Sequence, residues 1–396
     1  MRSIRAFHPD LIKIRHQIHQ NPELGFEEVK TAELVARELA SYGIEEIHRG
    51  LGVTGVVAVI EGQATGDAAA NGRVVGLRAD MDALPMQEAN EFAHRSKKQG
   101  VMHGCGHDGH TAMLLGAARH LAQNRDFPGR VVLIFQPGEE GHAGARAMIR
   151  DGLFERFPCD AVFAMHNWPG LPAGQIAVRP GPAMAAADRL TINITGKGGH
   201  GAHPYLAVDP VVVSAHIITA VQSIVSRNVS PLDSAVVSLC SMQAGDPLAM
   251  SVIPSGARLI GTVRTFRAEV QDQVEARIKH LAQSVAAGFD AIAEVNYERV
   301  YPATINSRDE ALFAARVASG LVGPENLLSD LEPSMGAEDF SFMLQQRPGA
   351  YLRIGQGGAA GGCFLHNTRY DFNDDILPLG AGLMVELGRT YLSEGV

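Results

Sequence analysis

Apolar positions in the first half of the chain alternate between two periods. The stretch TAELVARELASYG has apolar residues at helical spacing and ends at a glycine, and TAMLLGAARHLAQN follows the same pattern. The stretches GRVVGLRADMDALP, GRVVLIFQPGEEG and CDAVFAMHNWPG each contain a buried-strand run that ends in a polar loop. This alternation predicts an α/β fold with a mostly parallel sheet sandwiched by helices.

The alternation of helix and strand patterns gives way to a different order of elements near residue 185. A strand, RLTINITG, precedes a long amphipathic helix that opens at Asp209 and Pro210, which are favourable capping residues. Two strands, a second helix and a final strand follow. The order β-α-β-β-α-β predicts a ferredoxin-like domain over residues 186–298, inserted into a discontinuous domain formed by 1–185 and 299–396.

Composition narrows the class of protein. A chain of 396 residues favours two domains, and a net charge of −9 with a pI of about 6.0 argues against nucleic-acid binding. No apolar run reaches the length of a membrane span, and the N-terminus lacks the apolar core of a signal peptide, so we expect a cytoplasmic protein without membrane contact. The Ala/Gly-rich stretch GQATGDAAANG predicts a surface loop.

The stretch MHGCGHDGHTAMLLGAA is dense in side chains that bind metals. Cys105 and His107 are separated by one glycine, and a tight turn is able to aim both side chains at one point. Thiolate and imidazole are ligands for zinc and similar divalent ions, although a buried cysteine and an ordinary hydrogen-bonded histidine explain the pair equally well. We interpret His103 and His110 as supporting residues.

Two adjacent carboxylates, Glu139 and Glu140, directly follow a buried strand. Adjacent carboxylates repel each other, and a metal relieves this repulsion by taking one as a ligand and leaving the other as a base. The alternative is a pair of solvated loop glutamates. Asp80 and Asp82 follow another strand, where one of them is able to orient a metal-binding histidine unless both are simply turn residues.

His166 and His366 also follow apolar strands. Each alone is more often an ordinary histidine than a ligand. At the carboxyl ends of parallel strands, however, ligand sites are expected. Together with the residues already described, the two histidines complete a set of one cysteine, three histidines and one glutamate that two divalent ions are able to share: Cys105, His107, His166, His366 and one of the pair Glu139 and Glu140.

In the inserted domain, GKGGHGAHPY surrounds His200 and His203 with glycines. A histidine in such a loop is able to donate a hydrogen bond to a developing oxyanion across a cleft. The residues alone favour the plainer interpretation, a surface hairpin turn.

The motifs in combination resemble the amidohydrolase branch of the dinuclear-metal metallopeptidases, the group of hippurate hydrolases and indole-acetyl-amino-acid hydrolases. The resemblance spans nearly the whole chain and rests on these stretches in order: HQNPELGFEE, LRADMDALPMQE, MHGCGHDGHTAMLLGAA, FQPGEEG, MHNWPG, GKGGHGAHP, SMGAEDFSFM and FLHNTRYDFND. It implies a catalytic domain with an inserted ferredoxin-like dimerisation domain and a homodimer or higher homo-oligomer.

The resemblance also implies roles for individual residues. Glu139 takes the place of the general base that deprotonates the attacking water and passes the proton to the leaving amine. Asp82 supports a metal-binding residue, and His200 stabilises the tetrahedral intermediate, often from the partner subunit. The ligands of two divalent ions (Zn, Mn, Co or Ni) are then Cys105, His107, Glu140, His166 and His366.

The expected reaction is hydrolysis of the amide bond of an N-acyl amino acid, a small molecule. We expect Arg264 to bind the carboxylate of the substrate, with His203 as a further substrate-binding residue. Ser251 in MSVIP occupies the position where relatives have asparagine in the motif NVIP. Cys105 is then a ligand and not a nucleophile. Two alternatives remain: a dipeptidase or carboxypeptidase with the same machinery, and an inactive metal-binding dimeric scaffold.

Overall fold

The structure, a computed structural model, describes residues 2–64, 72–358 and 363–396. Most of the predicted Ala/Gly-rich loop, residues 65–71, lies outside the described residues. The chain divides into two compact units. Unit 1 comprises 1–183, 305–332 and 339–396, and unit 2 comprises 184–304 and 333–338.

Unit 1 contains most of the helices and the larger sheet. Its helices are α1 (Arg2–Ala6), α2 (His8–Gln20), α3 (Val29–Ser41), α4 (His107–Gln123), α5 (Glu139–His142), α6 (Gly144–Arg150), α7 (Leu153–Arg156), α10 (Arg308–Val322), α11 (Ser341–Leu344) and α12 (Leu377–Glu394). Its strands are β1 (Glu46–Leu51), β2 (Gly55–Glu61), β3 (Val74–Asp80), β4 (Arg130–Gln136), β5 (Ala161–Trp168), β6 (Ile176–Ala177), β15 (Leu327–Leu328) and β16 (Gly349–Gly355). The chain crosses between the units in β7 (Gly181–Met184) and β14 (Thr304–Asn306).

The sheet of unit 1 has eight strands in the order β1-β2-β4-β3-β5-β16-β6-β15. The central neighbours β4, β3, β5 and β16 run parallel to one another, while β1 and β2 form an antiparallel edge. Every residue of β3 and β16 is buried, as expected for central strands of a parallel sheet. Helices α4, α12 and α10 pack onto this sheet. The predicted α/β class with a mostly parallel sheet is confirmed.

The core of unit 1 is one apolar cluster. Helix α4 contributes an almost unbroken buried stretch from Ala112 to Ala118, because it lies between α2, α12 and strand β3. A helix that is apolar on nearly all sides is a core helix. Burial of this segment fixes the position of the residues immediately before it, which include the Cys105–His107 turn.

Unit 2 is built around a four-stranded antiparallel sheet. Its elements are β8 (Ala186–Thr195), β9 (Gly199–His200), α8 (Pro210–Arg227), β10 (Ala235–Ala244), β11 (Val252–Ile253), β12 (Gly256–Thr265), α9 (Ala268–Ala287) and β13 (Ile292–Tyr301). The sheet order is β10-β12-β8-β13, and the short strands β9 and β11 pair with each other. This order and the β-α-β-β-α-β succession confirm the predicted ferredoxin-like architecture.

Helix α8 is the one described helix that is long and apolar enough to span a membrane by length and composition. The expectation that no apolar run reaches this length is therefore wrong for this segment. Its buried residues Val213, Ile217, Val221 and Ile224 belong to the apolar cluster of unit 2. An amphipathic core helix passes the same test, so the segment is weak evidence for a membrane span.

Candidate metal centre

The candidate centre lies where three neighbouring parallel strands of unit 1 end. Strand β3 ends at Asp80, β4 ends at Gln136 and β5 ends at Trp168. The carboxyl ends of parallel strands meet at one edge of the sheet, which is where ligand sites form in such folds. Asp82 follows β3, and Glu139 and Glu140 form the start of α5 after β4. His166 lies within β5, two residues before its end.

The turn that precedes helix α4 adds the thiol and a second histidine. Cys105 lies just before the helix and His107 is its first residue. Gly106 between them has a φ of 95°, and a Cβ at this position would lie 2.3 Å from Asn167 Oδ1. Only glycine combines this backbone conformation with this close approach, so the spacing of the pair depends on Gly106.

The fifth predicted ligand, His366, comes from the loop before α12. The expectation that His166 and His366 both follow apolar strands is wrong, because His166 lies inside β5 and residues 363–365 before His366 form a loop. The main-chain N–H of His366 donates to the carbonyl of Gly104 at 2.8 Å, which ties this loop to the Cys105 turn. His366 has a φ of 62°, an uncommon conformation for a residue other than glycine. Its ring Nε2 lies 3.0 Å from Glu140 Oε1.

The structure brings all five predicted ligands together. Cys105 Sγ lies 3.3 Å from His166 Nε2. In each of three overlapping groups, the potential ligand atoms lie within 4.8 Å of one another. These groups are Cys105 with His107 and His166, Cys105 with Glu140 and His366, and His107 with Glu139 and Glu140.

Hydrogen bonds set the tautomers of two histidines. Nδ1 of His107 lies 2.9 Å from the main-chain carbonyl of Asp82 and 3.2 Å from its Oδ1. Nδ1 of His166 lies 2.7 Å from the carbonyl of Asn167. Each Nδ1 therefore carries the proton, and each Nε2 presents a lone pair to the cluster. Nε2 of His107 is buried without a hydrogen-bond partner, as expected of an atom reserved for a ligand that is not a protein group.

Asp82 bridges two of the predicted ligands. Its Oδ1 contacts His107, and its Oδ2 accepts the main-chain N–H of Glu140 at 2.9 Å. The side chain is buried. Asp82 thus orients residues of the cluster without adding a ligand atom to it.

Glu139 is buried, and the main-chain N–H of Asp339 donates to its Oε1 at 3.3 Å. The carboxylate of Asp339 accepts hydrogen bonds from Gln136 Nε2 at 2.7 Å and from the main-chain N–H of Ala145 at 2.9 Å. Asp339 therefore connects the end of β4, the start of α6 and the Glu139 side chain. A carboxylate held in this way is suited to positioned proton transfer.

The loop that carries Glu139 has a second anchor. Glu28 is a buried carboxylate whose Oε1 accepts the main-chain N–H of Gly138 at 2.8 Å, while Thr54 donates to its Oε2 at 2.5 Å. Burial raises the pKa of Glu28 to about 7. The motif HQNPELGFEE contains Glu28, but its pattern alone does not show that this glutamate reaches the loop after β4.

Negative charge dominates the electrostatics of the cluster. Burial and the carboxylates of Glu140 and Glu139 hold the pKa of the Cys105 thiol well above its ordinary value. Burial lowers the pKa of His107, but Asp80 and Asp82 raise it to about 10. A divalent cation reverses both tendencies, because it favours a thiolate and a neutral imidazole. The donor set and the reserved Nε2 of His107 therefore fit borderline-soft divalent ions such as zinc.

A buried polar network that the residue pattern leaves undetected lies behind the cluster. The Arg78 guanidinium contacts Asp80 at 2.9 Å and Asp339 at 3.1 Å, and Asp80 Oδ1 lies 2.6 Å from His110 Nδ1. His110 Nε2 lies 2.7 Å from Asn167 Oδ1. The sequence offered one indication of this network: Arg78 and Asp80 lie within the apolar stretch of β3, and buried charged residues normally pair with one another.

A second network secures the start of helix α4 on its other side. Asp108 Oδ2 lies 2.8 Å from His19 Nδ1 and 3.3 Å from Arg15 Nη1. His19 Nε2 lies 3.2 Å from Glu88 Oε1. His103 is buried next to this network, and both of its ring nitrogens lack a hydrogen-bond partner. His103 lies in none of the candidate metal groups of the described residues, whereas His110 forms a further group with Asp80 and His107 in which the potential ligand atoms lie within 4.8 Å of one another. The supporting role of both histidines stays a prediction.

The four site residues predicted in unit 2 lie in exposed or half-buried positions of that unit. His200 is exposed, and its Nδ1 accepts the main-chain N–H of Ala202 at 3.0 Å. His203 and Ser251 are exposed, and strands β9 and β11 bring Ser251 next to Gly201 through a main-chain hydrogen bond of 2.7 Å. Arg264 is half-buried and donates to Thr262 Oγ1.

Comparison with known proteins identifies the class. Residues 76–389 match the model of Peptidase family M20/M25/M40, and the chain belongs to this family. It is therefore a hydrolase, and the resemblance inferred from the motifs is confirmed.

Individual relatives cover nearly the whole chain. The chain is 42% identical over 380 residues to the hippurate hydrolase of Campylobacter jejuni, covering 96% of both chains. It is 38% identical over 378 residues to thermostable carboxypeptidase 2 of Saccharolobus solfataricus, covering 94% of this chain and 92% of the relative. A solved structure of a dinuclear metal-binding M20 peptidase from Bacillus subtilis is 35% identical, with a TM-score of 0.83, and the match covers 98% of this chain and 99% of that one.

Proposed function

We propose that the protein hydrolyses the amide bond of N-acyl amino acids, such as N-acetyl or N-benzoyl amino acids. Water adds to the acyl carbon and the C–N bond breaks. The products are a carboxylic acid and a free amino acid. The similarity to a hippurate hydrolase over 96% of the chain supports this substrate class.

The observation that carries the proposal is the position of Glu139 beside the five-ligand cluster. Glu139 is buried, is held by the N–H of Asp339, and has a carboxylate oxygen within 4.8 Å of ligand atoms of His107 and Glu140. An inert metal site does not require a second, positioned carboxylate beside its five ligands, whereas amide hydrolysis needs a group that removes a proton from water and returns it to the amine.

The chain's residues divide the work as follows. Glu139 accepts the proton of the attacking water and delivers it to the leaving nitrogen. Asp82 keeps the imidazole of His107 in the tautomer with a free Nε2. His200 donates a hydrogen bond to the oxyanion from Nε2, a role that suits it because its Nδ1 already accepts the main-chain N–H of Ala202.

Two divalent ions would be held by Cys105, His107, Glu140, His166 and His366. Such ions, when bound, polarise the acyl carbonyl and lower the pKa of water. Thiolate and imidazole suit zinc, cobalt and nickel, while the carboxylate also suits manganese. The solved relative that is described as dinuclear metal-binding supports the number of ions.

We also propose that unit 1 is the catalytic domain and that unit 2 recognises the substrate and mediates dimerisation. Arg264 is the proposed partner of the substrate carboxylate, with Ser251 and His203 lining the same subsite. Leu248 and Met250 of unit 2 are each 93% exposed, and exposed apolar side chains of this size favour a homodimer or higher homo-oligomer. We expect this assembly to act in the cytoplasm.

The decisive experiment is a substrate panel on protein loaded separately with zinc, manganese, cobalt or nickel. We expect N-acetyl and N-benzoyl amino acids to be cleaved with kcat/KM values at least tenfold above those of dipeptides with the same C-terminal residue. Glu139→Gln protein with the same metal content is the control for contaminating hydrolases. Preference for dipeptides overturns the substrate assignment.

A carboxypeptidase is the second candidate, favoured by the similarity to thermostable carboxypeptidase 2. The same panel separates the two, because a carboxypeptidase requires a peptide bond before the C-terminal residue and gains nothing from a simple acyl group. No turnover of any amide in the presence of bound metal indicates the inactive metal-binding scaffold.

Ligation by Cys105 has its own test. Replacing Cys105 by alanine removes the thiolate and we expect it to lower metal content per chain, measured by plasma emission spectrometry after dialysis. Cys159→Ala is the matched control, because Cys159 is also buried in unit 1 and lies outside the five-ligand cluster. Unchanged occupancy in the Cys105 variant counts against ligation.

A further inference from the structure

Two arginines, Arg179 and Arg353, face a small cavity of unit 1 that the proposed hydrolysis does not use. The cavity measures about 20 Å³, which is room for roughly one particle of the size of water. None of the other lining residues carries a carboxylate: Ala177, Val178, Ala183, Asn306, Leu331 and Tyr351.

Arg179 has a donor without an acceptor. Its Nη1 donates to the carbonyl of Leu331 at 3.3 Å, but its Nε is buried and has no hydrogen-bond partner. Within the described part of the chain, Arg179 also forms no ion pair. A carbonyl satisfies an N–H group but brings no net charge, so the guanidinium charge is left without a counter-charge.

Arg353 brings a second positive charge to the same cavity. Its Nη1 and Nη2 donate to the carbonyls of Glu332 at 3.1 Å and Ala183 at 2.8 Å. Burial lowers the pKa of Arg353, the phenol of Tyr351 raises it, and the charge of Arg179 lowers it further. The two guanidiniums therefore repel each other in a partly desolvated place, and an anion between them relieves this repulsion.

We propose that this cavity binds one small inorganic anion of the size of chloride. The room for roughly one particle of the size of water suits a monatomic anion, and the buried Nε–H of Arg179 supplies a charge-assisted hydrogen bond. The net charge of −9 works against general attraction of anions to the chain, so binding must come from this local pair. The site does not depend on the proposed function.

The fluorescence of Trp168 is able to report anion binding at this cavity. Trp168 is the only tryptophan, and the Arg353 guanidinium lies 4.0 Å from the centre of its ring. Sodium chloride replaces sodium gluconate at constant ionic strength while tryptophan emission is recorded. We expect a saturable change in emission with chloride, because chloride is a compact monatomic anion whereas gluconate is a large polyhydroxy anion.

Arg179→Met removes the buried donor and one of the two charges. We expect the chloride midpoint to rise by roughly tenfold or more, the factor that corresponds to losing one hydrogen bond to a charged group. Arg316→Met is the matched control, because Arg316 is an exposed arginine that lies over Phe313 and pairs with Glu394, so the change in net charge is the same. The control should keep the midpoint of the original protein.

Three outcomes overturn the proposal: a response that is linear in chloride, an equal response in gluconate (which indicates that the cavity holds water only), and an unchanged midpoint in Arg179→Met. Thermal unfolding gives an independent readout, in which chloride raises the Tm of the original protein and of the control but not of Arg179→Met. If Arg179→Met does not fold, Arg179→Lys takes its place. It keeps the charge and lacks Nε–H, and an unchanged midpoint in that variant also overturns the proposal.

Discussion

The two units hold their chemically active side chains in opposite ways. In unit 1 the candidate residues are mostly buried and contact partners far away in the chain, as His107 does with Asp82 and Glu139 does with Asp339. In unit 2 the candidates contact chain neighbours, as His200 does with Ala202 and Arg264 does with Thr262 and Val263. The candidates of unit 1 are thus held by contacts between distant parts of the chain, whereas those of unit 2 are held by local contacts.

Exposed apolar surface follows the same division. Leu232, Leu248 and Met250 of unit 2 are each more than nine-tenths exposed, whereas exposed apolar side chains of unit 1 such as Val53 and Phe364 are 62% and 57% exposed. Unit 1 buries charged side chains in pairs, as Arg15 does with Asp108 and Arg78 does with Asp80. The two units therefore differ both in how their candidate side chains are held and in how far their most exposed apolar side chains reach solvent.

The largest expected effect tests whether the buried carboxylate of unit 1 acts in chemistry. Glu139→Gln keeps the shape and the hydrogen bond from Asp339 but cannot accept a proton. We expect kcat to fall roughly 10³-fold, within the range for general-base catalysis, while the metal content stays unchanged. Steady-state kinetics with parallel metal analysis measures both. Turnover close to that of the original protein would remove Glu139 from the mechanism.

The next effect concerns the buried charge network of unit 1. Burial lowers the pKa of His19, but Asp108 and Glu88 raise it to about 9, above the value of about 6.5 in the unfolded chain. Since the folded-state pKa is the higher one, the stabilisation is complete below pH 6.5 and is lost as pH rises to 9. The loss amounts to about 3 kcal/mol.

Urea unfolding at pH 6 and pH 9.5 measures this loss. In His19→Gln protein the pH-dependent part should be smaller by about the same amount, because no imidazolium remains to be lost. His216→Gln, an exposed histidine of α8, is the control and should follow the original protein. An equal pH dependence in all three proteins would show that protonated His19 does not stabilise the folded state through this network.

A smaller effect is expected from the exposed histidine of unit 2. His200→Ala removes the proposed oxyanion donor and should lower kcat roughly 10²-fold without changing metal content or the free energy of unfolding. His216→Ala is the matched control in the same unit. Equal activity of the two variants would leave His200 as a turn residue, which is the plainer interpretation of its glycine-rich loop.

The smallest effect tests local stability in unit 2. The side chain of Asp209 accepts the main-chain N–H of Val211 at 2.8 Å at the start of α8. Asp209→Ala should lower the free energy of unfolding by about 1 kcal/mol, whereas Asp209→Asn should retain most of the cap. Chemical unfolding monitors both. A loss as large as that expected for the His19 network would mean that unit 2 is less tolerant than its local contacts indicate.

The sequence by itself determined the secondary-structure periods, the ferredoxin-like succession of unit 2 and the type of sheet in unit 1. These features follow from neighbouring residues, because apolar periodicity and capping act over one element. It also singled out five potential ligands, of which Glu140 follows strand β4, Cys105 and His107 lie at the start of α4, His166 lies within β5 and His366 lies in the loop before α12. The limits 186–298 and the individual site roles stay predictions.

Only the tertiary structure decided how these side chains are held. The bond from Asp339 to Glu139 joins residues 200 positions apart, and Arg15 reaches Asp371 from 356 positions away. No local period encodes such contacts, because they depend on which loops the packed core brings together. The same reason explains three further features: the tautomer of His107, the contact of Glu28 with the loop that carries Glu139, and the position of Arg179 and Arg353 at one cavity.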